Sequence, residues 1–308
     1  MNCSTDNDTL KKRASIIAIT VAISLCLLKV FASYYTGSLS ILSSMIDSLS
    51  DIIGSLVTLI AVRYSCRPAC QTYRYGYGKA EALSALFQAV FIACSGLYVI
   101  CDGINRFYNP IPIEQTTAGL AVMIFSLIAT FALIAYQRHI YNITRSQAIL
   151  ADSAHYVTDI LTNSSIIITL LAVKLFDWIW FDTIAAIIIA AYLLYNAYTL
   201  AKDAVSNLLD RELDNDIRTE IKKIVTKFDF VKGIHDLRTR DIGGNYFFEF
   251  HLEMDGNLSL KTAHEHTHQV ENAICKHYPN SQIIIHQEPA GIQDDRLDDK
   301  LTRKNRKK

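Results

Sequence analysis

The stretch SSMIDSLSDIIGS, residues 43–55, decides the fold class because it combines a membrane-like apolar run with two acidic side chains. The run begins near Ser38 and continues to Val62, and it carries Asp47 and Asp51 four residues apart. Charged side chains inside a membrane span are costly and mark functional sites. We therefore expect the rest of the chain to contain further membrane spans, and residues that interact with the two carboxylates.

The overall composition is that of a membrane protein. The chain has 308 residues, of which 51% are hydrophobic and 19% charged, and its mean hydropathy is +0.19. Ordinary soluble domains are less apolar and more highly charged. The formal net charge is +0, which argues against a nucleic-acid partner held by bulk positive charge. The cysteines are odd in number and scattered, so they do not form a disulfide framework.

Six apolar runs are each long enough, at about 20 residues, to cross roughly 30 Å of hydrocarbon. Lysine and arginine cluster before the first run, between the second and third, between the fourth and fifth, and after the sixth. By the positive-inside rule, we expect a multi-pass protein with both termini in the cytoplasm. The six runs cover residues 14–34, 39–62, 81–103, 117–137, 147–173 and 179–201.

A small soluble domain follows the last run. Residues 214–228 and 260–277 repeat apolar residues at helical spacing, while HDLRTR, YFFEFHLEM and SQIIIHQ alternate like strands. The turn signal GGN separates the first two strands. The order helix, strand, strand, helix, strand predicts an α+β domain. The expected organisation is a polar tail at 1–13, a six-helix transmembrane domain at 14–205, the α+β domain at 206–290 and a charged disordered tail at 291–308.

Two pairs of ligand-type residues recur at the same helical spacing. Asp47 and Asp51 lie on one face of the second run, and His155 and Asp159 lie on one face of the fifth. The two runs cross the membrane in opposite directions, so a rise of about 1.5 Å per residue places all four side chains near the membrane middle. Three carboxylates and one imidazole suit a tetrahedral divalent transition metal better than calcium.

The same four residues would allow such an ion to be exchanged for protons. All the ligands must be deprotonated to hold the metal, so metal and protons compete for the site. A structural hydrogen-bonded cluster and a proton relay without metal are the alternatives. Asp152 lies on a similar face one turn nearer the cytoplasm, where we expect a solvated carboxylate at the helix end.

Seven segments of the chain, taken in order, form a highly specific pattern. They are YYTGSLSILSSMIDSLSDIIGS, YRYGYGKAEALSALFQAVF, SQAILADSAHYVTDILTN, LLDREL, HDLRTR, HLEM and IIIHQEP. In these segments, from about Ala14 to Pro289, the chain resembles the cation diffusion facilitator family, and within it the bacterial ferrous-iron and zinc efflux pumps.

The resemblance implies a transporter rather than an enzyme. It implies six transmembrane helices with a cytoplasmic ferredoxin-like domain, assembled as a homodimer in the inner membrane. The implied activity is export of zinc or ferrous iron, and also cadmium, coupled to proton entry, without an organic cofactor. The transport site of the family maps onto Asp47, Asp51, His155 and Asp159.

The resemblance also implies metal ligands in the soluble domain, at His235, His251, His264, His286 and Glu288. The predicted strands support this, since three of these histidines lie on three different strands that one sheet could present together. The group more often has an aspartate where this chain has Glu288, a swap that keeps the ligand type. Ordinary surface histidines are the alternative.

One metal site of the group is predicted to be absent from this chain. The group carries an aspartate and two histidines in the loop between the second and third helices. The matching residues here are Cys70, Tyr73 and Tyr77, and tyrosine is a poor zinc ligand. Cys66 and Cys70 could form a substitute thiolate pair, although two isolated thiols are more often plain reduced cysteines.

The same loop carries a lysine at position 79. The resemblance suggests that Lys79 forms an ion pair with Asp210 at the base of the helix bundle. Such a pair would couple the transmembrane domain to the soluble domain.

HEHTH, residues 264–268, matches the H-E-x-x-H pattern of zinc metalloproteases within a predicted helix. The alternative function is therefore a membrane-anchored zinc protease, although so small a soluble domain leaves little room for a substrate cleft. A membrane metal sensor without transport is a further alternative, which explains the cytoplasmic ligands but not the intramembrane ones. Peptide cleavage dependent on Glu265 would identify the protease, and metal flux dependent on Asp51 the transporter.

Overall fold

A computed structural model describes residues 3–36, 39–108, 117–176, 180–292 and 296–305; some side chains in these ranges, that of Asp47 among them, lie outside the description. The chain divides into two compact units, which meet in sequence between Leu208 and Leu209. The elements are α1 (Cys3–Thr36), α2 (Leu39–Ser65), α3 (Ala80–Tyr108), α4 (Thr117–Thr144), α5 (Gln147–Phe176), α6 (Trp180–Leu208), α7 (Asn215–Val225), β1 (Gly233–Asp241), β2 (Tyr246–Met254), α8 (Leu260–His277), β3 (Ser281–Pro289) and α9 (Leu297–Asn305).

The first unit is helical, and its helices α1 to α6 correspond to the six predicted apolar runs. Small side chains let these helices approach closely, as where Ala85 and Ala89 of α3 share a buried cluster with Ala197 of α6. Over the part of the chain that the structure describes, three segments are long and apolar enough to cross a membrane by length and composition. They are Asp6–Ala32, Ala80–Cys101 and Ala121–Thr144.

A buried ion pair joins the ends of several of these helices. The ammonium group of Lys11 in α1 lies 2.9 Å from Oε1 of Glu81 in the first turn of α3. Ser65, at the end of α2, donates to the same oxygen, and Ser146, just before α5, donates to the other carboxylate oxygen. Charge-assisted hydrogen bonds of this kind offset part of the desolvation of a buried carboxylate. One side chain thus ties four helices together.

The second unit packs α7 and α8 against a three-stranded sheet of order β1-β2-β3. Strand β1 is antiparallel to β2, and β3 runs parallel to β2. The hairpin between β1 and β2 turns at Gly243 and Gly244, whose φ angles of 66° and 87° favour glycine. Phe248, Phe250 and Leu252 are fully buried beneath the helices. The predicted order of helices and strands in the α+β domain is confirmed.

The C-terminal segment differs from its prediction as a disordered tail, because residues 297–305 form helix α9. Asp236 of β1 accepts hydrogen bonds from the backbone N–H groups of Leu297 and Asp298, at 2.9 and 3.0 Å. Burial raises the pKa of Asp236, but these N–H donors lower it, and the pKa lies below its usual range. A side chain more than sixty residues away in sequence therefore caps the helix, and local composition could not predict this.

Candidate metal centres

The first candidate centre lies between α2 and α5. Nε2 of His155 is 3.2 Å from Oδ1 of Asp51 and 4.0 Å from Oδ2 of Asp159. One ligand atom from each of the three residues lies within 4.8 Å of the others. The histidine is buried, and both carboxylates are partly buried. The structure therefore brings together three of the four residues expected at the intramembrane site.

Helix geometry explains this convergence. His155 and Asp159 are one turn apart on α5 and so lie on the same face. Helix α2 can approach that face because Gly54 has no side chain: an added Cβ would lie 3.6 Å from Cδ2 of His155 and 3.2 Å from Nε2 of Gln88. Asp47 lies one turn before Asp51 on α2, but its side chain is outside the described residues. Its place in the site stays a prediction.

The chemistry of this group suits a small divalent cation. Two carboxylates and an imidazole are acceptable ligands for zinc and for other first-row transition metals. The buried Nδ1 of His155 has no hydrogen-bond partner among the described residues. Buried polar atoms are normally satisfied, and the exceptions mark functional sites. The group thus has the donor set and the burial of a metal site within an apolar helix bundle.

Asp152 is buried, which corrects the expectation of a solvated helix-end carboxylate. It has no exposed surface, and it accepts hydrogen bonds from Gln137 of α4 at 2.6 Å and from Ser55 of α2 at 3.2 Å. Gln88 of α3 donates at 3.4 Å, and Ser55 also bonds the hydroxyl of Tyr156 at 2.7 Å. The sequence of α5 could not predict this burial, because the hydrogen-bond partners of Asp152 come from three other helices.

The second candidate centre is built on the sheet. In strand register, His235 of β1 pairs with His251 of β2, which in turn pairs with His286 of β3. The next row on the same face pairs Glu253 with Glu288. Because residues two apart on a strand share a face, three histidines and two glutamates lie together.

Contacts among these side chains are short. His235 lies 3.2 Å from Oε2 of Glu288 through Nε2 and 3.1 Å from Oε1 of Glu253 through Nδ1. Nδ1 of His251 contacts Oε1 of Glu288, and Nε2 of His286 lies 3.5 Å from the same oxygen. Atoms of His235, His251 and Glu288 lie within 4.8 Å of one another. These three residues could hold a metal ion, with His286 beside them.

Glu253 is a member of this group that the sequence analysis missed. The signal was present: H-x-E occurs in both HLE of β2 and HQE of β3, at residues 251–253 and 286–288. Strand alternation puts the acid on the same face as the histidine in each case. Glu253 also contacts Arg296, just before α9. The group is therefore connected to the C-terminal segment.

His264 lies on α8 and contacts His268 of the same helix, with the two Nε2 atoms 3.1 Å apart. Its expected role in the sheet group stays a prediction. His266, in the middle of HEHTH, instead stacks on Phe230 with ring centroids 4.0 Å apart. The H-E-x-x-H histidines are thus adjacent in space, whereas the central histidine packs against an aromatic ring.

The loop between α2 and α3 contains a small thiol and tyrosine cluster. Sγ of Cys70 lies 3.3 Å from the hydroxyl of Tyr77, and it accepts from the backbone N–H of Tyr73. These hydrogen bonds lower the pKa of Cys70, whereas burial raises the pKa of Cys66 to about 11. The two thiols have opposite tendencies to ionise, and the absence of a loop metal site stays a prediction.

The expected link between Lys79 and Asp210 also stays a prediction. The Lys79 ammonium donates to the backbone oxygen of Leu208 at 3.0 Å. Asp210 lies 3.3 Å from the guanidinium of Arg240. The first contact lies within the helical unit and the second within the α+β unit.

Comparison with known proteins identifies both units. Residues 15–209 match the cation efflux transmembrane domain, and residues 213–290 match the cation efflux protein cytoplasmic domain. The chain is 42% identical to the cation-efflux pump FieF of Klebsiella pneumoniae over 92% of this chain and 94% of that protein. It is 43% identical to the FieF of Escherichia fergusonii, with the same coverage.

One solved structure is similar to part of this chain. It is the metal-bound C-terminal domain of the CzcD transporter from Thermotoga maritima. The match spans 27% of this chain and 100% of the solved chain, at 30% sequence identity and a TM-score of 0.26. The family matches and the apolar helices confirm the expected architecture of six transmembrane helices and a small cytoplasmic α+β domain. The chain belongs to the cation diffusion facilitator family and is a membrane transporter for cation efflux.

Proposed function

We propose that this transporter exports a divalent transition metal from the cytoplasm by exchanging it for protons. The observation that carries the proposal is the group formed by Asp51, His155 and Asp159 inside apolar helices. Such groups are too costly in a membrane to persist without a function. Asp47, one turn from Asp51, is the proposed fourth ligand. Zinc or ferrous iron is the proposed substrate, and cadmium has similar ligand preferences.

Protons would enter the mechanism through the ligands themselves. A carboxylate or imidazole must lose its proton before it binds the metal. When the site faces outward, protons that reach Asp51, His155 and Asp159 displace the ion. The protonated site then turns back to face the cytoplasm. The imidazole of His155 is suited to this exchange because it accepts either a proton or a metal at the same nitrogen. Each cycle would therefore move metal outward and protons inward.

The second group has a proposed regulatory role. The family of the cytoplasmic domain supports dimer formation and divalent-metal binding in this part of the chain. We place both termini in the cytoplasm, because lysine and arginine cluster on that side of the spans. Metal held by His235, His251 and Glu288 would then report a high cytoplasmic metal concentration and raise transport. If flux keeps the same metal dependence after His235 and His286 are both replaced by alanine, this role is excluded.

Metal uptake into proteoliposomes tests the transport proposal. Full-length protein is reconstituted, a pH gradient is imposed, and Zn²⁺, Fe²⁺ and Mn²⁺ are supplied in separate assays. We expect proton-driven flux in wild type and none in Asp51→Ala. Asp203→Ala, which removes an exposed carboxylate of α6, is the matched control and should transport normally. Equal flux in wild type and in a folded Asp51→Ala protein would overturn the proposal.

A further inference from the structure

The carboxylate of Glu253 lies behind His235, one of the metal ligands proposed on the sheet. The imidazole of His235 is 5% exposed and has a carboxylate close to each of its two nitrogens. Its Nε2 is 3.2 Å from Oε2 of Glu288, whereas its Nδ1 is 3.1 Å from Oε1 of Glu253. A metal bound through Nε2 would therefore leave Nδ1 facing Glu253.

Nδ1 of His235 lacks a hydrogen bond that a metal-binding histidine normally makes. This nitrogen is buried and has no hydrogen-bond partner among the described residues. Oε1 of Glu253 is already within hydrogen-bond distance, so a small rotation of the ring or of the carboxylate would let Nδ1–H donate to it. Histidines that bind metal almost always donate their other N–H in this way. Such a bond fixes the tautomer and leaves the free electron pair on Nε2.

Two residues hold the carboxylate of Glu253 in place. Arg296, just before α9, donates from its guanidinium to Oε1 of Glu253, and one carboxylate oxygen can accept more than one hydrogen bond. Gly233, the first residue of β1, leaves the space that the carboxylate occupies. A Cβ added to Gly233 would lie 2.8 Å from Oε2 and 2.9 Å from Cδ of Glu253. A side chain at this position would therefore displace the carboxylate.

The C-terminal segment that carries Arg296 is also attached to the residue next to His235. The strand register shifts just after His235, and the next residue, Asp236, has a φ of 54°. The backbone N–H of Asp236 donates to Oδ2 of Asp298 at 3.1 Å. Its carboxylate accepts from the backbone N–H groups of Leu297 and Asp298. The segment thus contacts both the backbone beside the ligand and the carboxylate behind it.

We propose that Glu253 is a positioning residue for the metal ligand His235, and that the C-terminal segment holds Glu253 in place through Arg296. This inference rests on the proposed binding of a divalent transition metal by the residues of the sheet. The affinity for that metal then depends on residues 296–298, which lie outside the three strands that carry the ligands. Docking of the C-terminal segment strengthens metal binding, and its release weakens metal binding.

Zinc titration of the full-length protein tests the role of Glu253. The background variant carries Asp51→Ala, which removes a ligand of the group between α2 and α5. We expect Glu253→Gln to lower zinc affinity about 10- to 100-fold, as for other carboxylates behind metal-binding histidines. Glu249→Gln is the matched control, because it removes the same charge from a partly exposed residue that is also two positions from His251 on β2. Equal affinities in these two variants would overturn the positioning role.

A variant that changes no charge separates the position of Glu253 from its charge. Gly233→Ala keeps the carboxylate but places a Cβ where that carboxylate lies. We expect zinc affinity to fall, as it does in Glu253→Gln. Unchanged affinity in Gly233→Ala would overturn the positioning role, because the place of the carboxylate would then not matter.

Replacement of Arg296 tests the role of the C-terminal segment. We expect Arg296→Gln to weaken zinc binding by up to about fivefold, since a partly exposed ion pair contributes little. Arg296→Lys keeps the charge and should retain more of the affinity. Arg238→Gln removes the same charge from an exposed residue of β1 and serves as the control. Equal affinities in Arg296→Gln and Arg238→Gln would overturn the role of the segment.

His235→Ala distinguishes failure of this inference from failure of the proposed function. It removes the ligand itself and should abolish tight zinc binding. His277→Ala should leave binding unchanged, because His277 is an exposed histidine of α8 whose Nδ1 contacts the backbone oxygen of Ala273. Unchanged binding in His235→Ala would exclude the proposed metal site on the sheet. Loss of binding in His235→Ala, with wild-type binding in Glu253→Gln, would overturn only the positioning role.

Discussion

The two main candidate metal groups differ in the backbone that holds them. Asp51 comes from α2, whereas His155 and Asp159 come from α5. Neighbouring helices can shift past one another by about 1–2 Å without breaking backbone hydrogen bonds. The sheet group instead lies on three hydrogen-bonded strands in fixed register, and a strand cannot slide without breaking its ladder. The helix group is therefore suited to a binding geometry that changes during transport, and the sheet group to a binding geometry that stays fixed.

The largest expected effect is at the helix group. Asp159→Asn keeps the size of the side chain but removes a charge needed to bind the cation. We expect proton-driven metal flux in proteoliposomes to fall to the level of protein-free vesicles. Asp203→Asn, at an exposed position of α6, should keep wild-type flux. Wild-type transport by Asp159→Asn would contradict the distinction between the two groups, because the helix group would then not be the site that binds the transported ion.

A smaller effect is expected at the sheet group. His251→Ala removes a ligand, and we expect the metal concentration for half-maximal flux to rise by more than about tenfold. Maximal flux should stay unchanged, since the helix group is intact. The measurement is initial flux over a series of metal concentrations on the cytoplasmic side, with His277→Ala as the control. Loss of maximal flux in His251→Ala would show that the sheet group belongs to the transport path.

The helix group also requires that α5 be held in place, and replacing Asp152 tests whether this carboxylate anchors the helix. Asp152→Leu leaves the amide of Gln137 without its acceptor in a buried position. We expect the free energy of unfolding to fall by about 1–3 kcal/mol, measured as a lower thermal midpoint in detergent. Asp152→Asn keeps an acceptor oxygen and should lose less. Equal midpoints for the leucine variant and wild type would indicate that this carboxylate does not anchor α5.

The smallest expected effect is at helix α9. Asp236→Gly removes the cap of α9, and glycine tolerates the φ of 54° at this position. The loss of a cap costs about 1 kcal/mol, so amide exchange at Leu297 and Asp298 should quicken by roughly fivefold. Asp236→Asn keeps the shape and an acceptor and should change exchange less. Unchanged exchange in the glycine variant would mean that other contacts hold α9.

Sequence patterns predicted the parts of the molecule that depend on local periodicity. The spacing of His155 and Asp159 on one helix, and the apolar length of the runs, are local properties. The alternation of HLEM and IIIHQ similarly predicted strands that carry His251 and His286. The resemblance to a family supplied the residues of the sheet group, but not Glu253.

Other features depend on distant partners and could not be predicted from the sequence. Burial of Asp152 requires Gln88 and Gln137 from α3 and α4. Helix α9 forms where a strand residue, Asp236, caps it. No pattern near residue 152 or residue 297 encodes either contact. Polar networks between separate elements are therefore where reasoning from local sequence reaches its limit.

Gly54 has a consequence for the mechanics of the helix bundle. Because it has no side chain, Gly54 leaves room for two neighbouring groups, the ring of His155 and the amide of Gln88. That amide bonds both the Gly54 carbonyl oxygen and Asp152. We therefore expect a rotation of α2 at Gly54 to displace both the metal ligand His155 and the anchoring residue Asp152. Because Gly54 carries only a hydrogen atom in place of a side chain, α2 can lie this close to both neighbours.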